Sequence, residues 1–183
     1  MKKSNIILAT MLVAGSLFVL SSVAKPPPEV LAAKGPSIVE IALAVNADTG
    51  EFSTLIAALV AADLVDALNG MHQYTVFAPT DEAFAALGLD ADNIGDMDKA
   101  TLTKILLYHV APGERFAEDV VESERIRTLS KQFLFPEVTE DGVFILDEIG
   151  ASPDAQVILP DVDARNGVIH VIDNVLLPPD FLT

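Results

Sequence analysis

The chain reads as an α+β fold, with helices gathered towards the N-terminus and strands towards the C-terminus. Three features carry this expectation. Apolar residues recur at helical spacing from Ile38 to about Val121. Beyond that point the periodicity fades into short β-prone runs bounded by turn signals. A single early strand, Tyr74 to Ala78, interrupts the helical part, so the order is not a series of βαβ units. No internal repeat at solenoid or propeller spacing is visible.

The folded part is expected to open at Ser37, where Ser37-Ile38-Val39-Glu40 fits a capping box. Ile38, Ile41 and Val45 then share one helical face. Asn46 to Gly50 is a turn cluster, and a second helix follows with Phe52, Leu55, Ile56, Leu59 and Val60 on its apolar side. Asp63 is placed to cap a short third helix that stops at Asn69-Gly70. The early strand ends at Pro79, which cannot donate to a ladder. Thr80 or Asp81 then starts a helix carrying Ala83, Phe84 and Leu87. Leu89 to Asp96 reads as a polar loop. Asp98 caps the next helix, with Leu102, Ile105 and Leu106 as its stripe, and Pro112-Gly113 closes that unit.

In the last third, Phe133–Pro136, Val143–Leu146, Val157–Pro160 and Val168–Leu177 read as strands. Asp141-Gly142 and Asn166-Gly167 are hairpin signals, and Asn166-Gly167 can take positive φ at both turn positions. From Val168 to Ile172 both faces of the strand are apolar, which predicts a central, buried strand.

The N-terminus has the form of an export signal. Lys2 and Lys3 precede an apolar run from Ile6 to Leu20, and Ser22-Val23-Ala24 puts small residues where a signal peptidase cuts. Residues 1–24 are therefore expected to be a signal peptide. The competing reading is an uncleaved anchor, because the uncharged run approaches the ~20 residues that span a bilayer. Its serines and small-residue exit favour cleavage. Both readings export the remainder, to the periplasm or the medium, and confine membrane contact to this segment. Residues 25–36, with Pro26-Pro27-Pro28, form a stiff linker, and 37–180 form the domain.

Composition removes several function classes. The 183 residues suit one domain plus an appendage, and 51% hydrophobic content argues against disorder. Aromatics make up 6% with no Trp, too few for a broad aromatic platform for carbohydrate. The absence of Cys excludes disulfides, thiolate nucleophiles, thiolate zinc sites and lipid anchoring through cysteine. A formal net charge of −16 disfavours duplex nucleic acid, whose phosphates require clustered Lys and Arg.

Familiar catalytic signatures are missing from the sequence. The sequence has no Gly-x-Ser-x-Gly elbow, phosphate-binding Gly loop or dinucleotide fingerprint. His72, His109 and His170 are far apart in sequence, with no His-x-x-x-His pair, and each is expected to be a hydrogen-bonded structural histidine. Asp90-Ala91-Asp92-Asn93-Ile94-Gly95 begins like a calcium loop, but Ile94 and Thr101 stand where oxygen ligands are needed. No metal, cofactor or catalytic residue is assigned.

Three segments carry a family resemblance. The first is Tyr74-Thr75-Val76-Phe77-Ala78-Pro79-Thr80-Asp81-Glu82-Ala83-Phe84. The second is Leu106-Leu107-Tyr108-His109-Val110. The third is Asn166-Gly167-Val168-Ile169-His170-Val171-Ile172-Asp173, followed by Val175-Leu176-Leu177-Pro178. Together they resemble the boxes of the fasciclin domain family, from about Ser37 to Pro179. The resemblance implies helices packed on a β-wedge and a non-catalytic role in adhesion or extracellular interaction. The expected partner is an extracellular or envelope protein or polysaccharide, and the expected state a monomer. An alternative is a carrier for a small apolar ligand or lipid. Phe77, Pro79, Thr80, Asn166, Gly167 and His170 are read as structural residues of the boxes.

The resemblance also carries a partner-binding role, proposed for the Tyr-His element of animal relatives, onto Tyr108 and His109. The local pattern qualifies it. His109 continues the stripe of Leu102, Ile105 and Leu106, so its ring is expected to face the core. Tyr108, about 100° round the helix, is expected to be partly exposed with its hydroxyl wet.

Overall fold

Ser37 caps the first helix, as its capping-box pattern predicted. The computed structural model describes residues 35–148 and 154–182, so the signal segment and most of the linker lie outside the described residues. Ser37 Oγ accepts from Glu40 N at 3.2 Å, and Glu40 Oε2 accepts from Ser37 N at 2.7 Å. This reciprocal pair satisfies two donors at the start of helix α1 (Ile38–Thr49). Helices α2 (Ser53–Ala61) and α3 (Val65–Leu68) follow, then strand β1 (Tyr74–Pro79) and helix α4 (Asp81–Ala85). After a short 3-10 turn come α5 (Lys99–Tyr108), β2 (Val110–Pro112), α6 (Ala117–Glu122) and β3 (Ile126–Arg127). The chain continues through β4 (Phe133–Thr139), β5 (Gly142–Leu146), β6 (Ala155–Ala164) and β7 (Gly167–Ile172).

The seven strands run in the order β2-β1-β7-β6-β5-β4-β3. β1 and β7 are parallel, from Tyr74 opposite Gly167 to Pro79 opposite Ile172, and the other pairs are antiparallel. The two boxes expected to be folding elements therefore lie side by side. β7 is buried along its whole length, as its two apolar faces predicted.

Alternation along β1 and β7 divides the interior into two cores. Val76, Ala78, Ile169 and Val171 join the cluster formed with the helices, which includes Leu55, Leu59, Leu102 and Leu106. Phe77 and Ile172 point the other way, into a cluster with Tyr108, Val120, Ile126, Leu134 and Ile145. The second core is what β3, β4, β5 and α6 cover.

Several expectations change at the termini of elements. Asp63 does not cap α3. It sits at φ +61°, its N–H donates to Val60 O, and Leu64 N–H donates to Leu59 O. This is a Schellman ending to α2, and a short polar residue tolerates the left-handed conformation it needs. Phe52 is not in α2 but precedes it at φ +69°. Val60, placed on the apolar face, is 64% exposed. The loop read as polar from Leu89 to Asp96 is pinned by Ile94, which is buried. Asp90 Oδ1 accepts from the N–H groups of Asp92 and Asn93 within that loop.

Both hairpin turns are displaced by one residue from the expected position. Ala164 pairs with Gly167 and Thr139 with Gly142, so the turn residues are Arg165-Asn166 and Glu140-Asp141. The glycines open the return strands at φ +143° and +141°, and Asn166 keeps a negative φ. β7 also ends at Ile172 rather than Leu177.

Candidate functional site

The Tyr108–His109 pair sits where α5 gives way to β2, and the rotation of about 100° between successive helical residues sends the two side chains in different directions. Tyr108 is fully buried, which corrects the expectation of a wet hydroxyl. Its O–H donates to Phe133 O at 3.0 Å and its oxygen accepts from Glu148 N at 3.2 Å. Burial pushes the phenol up to about 12, against the opposing effect of the Glu148 amide, and the charges of Asp147 and Glu148 add to the rise.

His109 is buried as its stripe predicted. Nδ1 lies 2.8 Å from Ile105 O, and Nε2 accepts from Leu176 N at 2.9 Å. An acceptor role for Nε2 fixes the neutral tautomer with its proton on Nδ1, donated to Ile105 O. Burial lowers its pKa to about 4, with the Ile105 bond acting in the opposite direction. Neither side chain is presented to a partner in this conformation.

The other box residues make specific contacts within the fold. Thr80 Oγ1 caps α4 by accepting from Ala83 N at 3.3 Å. Asp81 is committed to a different helix, its carboxylate accepting from Ser53 N at 3.0 Å and Thr54 N at 2.8 Å at the start of α2. Pro79 ends β1 opposite Ile172. Asn166 is buried, with Oδ1 accepting from Ile38 N at 3.0 Å and Nδ2 donating to Leu68 O at 2.7 Å and Gly70 O at 3.3 Å. His170 stacks on Phe77 with ring centroids 5.6 Å apart. Its Nδ1 accepts from Asp161 N at 3.3 Å, so Nε2 carries the proton donated to Arg115 O at 2.9 Å. Burial lowers the His170 pKa, opposed by the Arg115 bond and the nearby Asp161. The third histidine, His72, is exposed rather than structural in this sense.

One feature has no signature in the sequence. A cavity of about 340 Å³ lies under α1 and α2 against the sheet. Ala42 and Val45 of α1, Leu55 of α2, Ala78 of β1 and Val171 of β7 line it, and the two alanines leave room where larger side chains would fill it. At its margin stand Ile158 and Leu159 of β6, 52% and 53% exposed. β6 shifts register against β7 on both sides of Leu159, and Asp161 takes φ +59° in the same bulged stretch. The few polar residues of the lining are Thr49, Glu51, Thr80 and His109. Helical and strand periodicity identify which residues face inwards but not how completely they fill the space between elements, so no sequence signal marks the cavity.

With this geometry in place, comparison with known proteins decides the family. The fasciclin domain model matches residues 50–178. The chain belongs to the fasciclin domain family. Among its relatives, Protein sll1483 of Synechocystis sp. is 46% identical over 145 residues, covering 78% of this chain and 74% of its own. The uncharacterized protein sll1735 of the same organism is 39% identical, covering 78% of this chain and 98% of its own. Among solved structures, a FAS1 domain pair from the insect cell adhesion molecule fasciclin I superposes with a TM-score of 0.65 at 21% identity, over 79% of this chain and 52% of that one. The fold is thus that of the FAS1 domain, an α+β arrangement with its helices towards the N-terminus. No helix among the described residues is long and apolar enough to cross a membrane.

Proposed function

We infer that the domain is an exported, non-catalytic interaction module that binds a cell-surface, matrix or envelope component. The observation that carries this reading is the state of four ionisable groups among the described residues. Tyr108, His109 and His170 are sealed in the cores with their polar atoms engaged, and Glu40, whose pKa is lowered first by its bond to the Ser37 amide, caps α1. A catalytic acid or base needs a shifted group facing a cleft, and these four serve the fold instead. Membership of the fasciclin family and the adhesion-molecule origin of the structural relative support the same conclusion. Export rests on the N-terminal segment.

Affinity capture with the purified protein against the producer's own envelope fractions and natural surfaces tests the reading. Saturable retention of one protein or polysaccharide is expected. Turnover on a glycan panel, abolished by changing a single carboxylate, would overturn it in favour of an enzyme. A second reading, a carrier for small apolar ligands, is favoured by the cavity under α1 and α2.

A further inference from the structure

Protein interiors are packed to the density of organic crystals, and voids larger than a water are few. The space under α1 and α2 departs from that rule in size and in the character of its walls. We propose that it binds one small amphiphile, with an apolar chain seated against α1, α2 and β7 and a single hydrogen-bond donor at its head directed to Glu51. The proposal rests on the carrier reading and gives it a site and a ligand chemistry.

Size limits the occupant. A volume of about 340 Å³ falls within the range of small-ligand sites. At about 30 Å³ for a water-sized group, it holds a chain on the order of ten heavy atoms. A helix from a partner, about 10 Å across with its side chains, does not fit. The exposed Ile158 and Leu159 offer an apolar way in where β6 bulges.

The head is specified by one atom. Glu51 is one of the four polar residues of the lining, and its Oε2 is closed off from solvent with no hydrogen-bond partner among the described residues. A buried acceptor left unpaired is costly, and a ligand hydroxyl or amine would satisfy it. The neighbouring polar residues do not compete. Thr49 Oγ1 donates to Val45 O and accepts from Glu51 N, and both ring nitrogens of His109 are engaged. Thr80 also belongs to the lining, and the next residue, Asp81, holds the first amides of α2. Its oxygen accepts from Ala83 N, which leaves the hydroxyl proton to serve a ligand oxygen. An anionic head is disfavoured twice: it would oppose the Glu51 carboxylate directly, and it would enter a chain of net charge −16.

Titration calorimetry with 1-decanol and with decanoate, alongside backbone amide spectra, tests the assignment on the purified protein. Decanol is expected to saturate at one per chain and to move the amide resonances of Ala42, Val45 and Ala78, with decanoate at least about tenfold weaker. Glu51→Gln, which can both donate and accept, should narrow that gap to within about threefold. Val45→Trp, which fills the space, should abolish decanol binding while the protein still melts cooperatively. Equal affinity of the parent for alcohol and acid would overturn the role of Glu51 and leave the carrier reading standing. Failure of both probes to bind the folded parent would overturn the carrier reading itself. Undiminished binding in Val45→Trp would place the ligand elsewhere.

Discussion

Gly167 illustrates how a single position can be dictated by a distant strand. A Cβ built there collides with the backbone carbonyl of Tyr74, the parallel partner in β1, and the backbone stands at φ +143°. Gly167→Ala is therefore expected to cost at least about 3 kcal/mol, more than the strain of the dihedral alone, and a melting curve equal to the parent's would refute the close approach. Tyr108 reverses an expectation. Tyr108→Phe leaves Phe133 O and Glu148 N without their partner and should cost about 1–3 kcal/mol in denaturant titration. Tyr108→Ala adds a cavity in the second core and should cost more than His109→Ala, not less. His109 also gives the fold an acid limit. Its folded pKa, about 4, lies below the ordinary value of 6.5, so the native state stays neutral while the unfolded chain takes up a proton. The contribution is complete above pH 6.5 and is lost as pH falls towards 4, reaching about 2–3 kcal/mol at pH 4.5. His170 acts in the same direction. His109→Gln, compared at pH 7 and pH 4.5 by urea titration, should lose less stability on acidification than the parent. An equal loss would show that His109 is not the group responsible.

At the scale of elements, the helices are held at their ends as much as along their faces. α1 has its own capping box and also receives the Asn166 side chain at Ile38 N. α2 has no local side-chain cap and takes the Asp81 carboxylate, from 27 and 28 residues further along the chain, at Thr54 and Ser53. Thr80 and Asp81, two neighbouring residues that looked like alternatives for one helix start, thus serve two helices. Asp81→Ala is expected to lower stability by about 1–2 kcal/mol and to speed hydrogen exchange across α2. Thr80→Ala should cost a similar amount with the extra exchange centred on α4. Indistinguishable exchange patterns in the two variants would contradict the assignment. Asn166 joins β7, α1 and the end of α3 through one amide group, a load heavier than its place in a turn suggested.

For the whole molecule, charge and the layout of the sheet dominate. The net charge is −16, and the ion pair of Lys99 with Asp63, at 3.9 Å, joins two exposed side chains. Such a pair contributes little, while unscreened repulsion among the acids works against the compact state. Raising salt from about 0.05 to about 0.5 M, which shortens the screening length severalfold, should raise the melting temperature. A fall over that range would mean that attractive pairs outweigh the repulsion. The parallel pairing of β1 with β7 joins the early strand to the last one, and the two cores form on either side of that pair. The first and third boxes of the family signature must therefore be in place before either core is complete.

The sequence by itself determined the class of the fold, most of its helices, β1 and the four long C-terminal strands, and the burial of β7. These follow from local periodicity, capping and chain-breaking residues, each legible within a few positions. It did not reveal β2, α6 or β3, because elements of 3, 6 and 2 residues are too short to show a period. Nor did it place the turns to the residue: a glycine preceded by Asn or Asp signals a hairpin, but the pairing of Ala164 with Gly167 is set by β1 pressing on Gly167. Tertiary structure alone decided which helix Asp81 caps, that Tyr108 is sealed between Phe133 and Glu148, and that a space remains under α1 and α2. Each depends on atoms brought together from distant parts of the chain, and a one-dimensional pattern records which side of an element is apolar without recording what meets it.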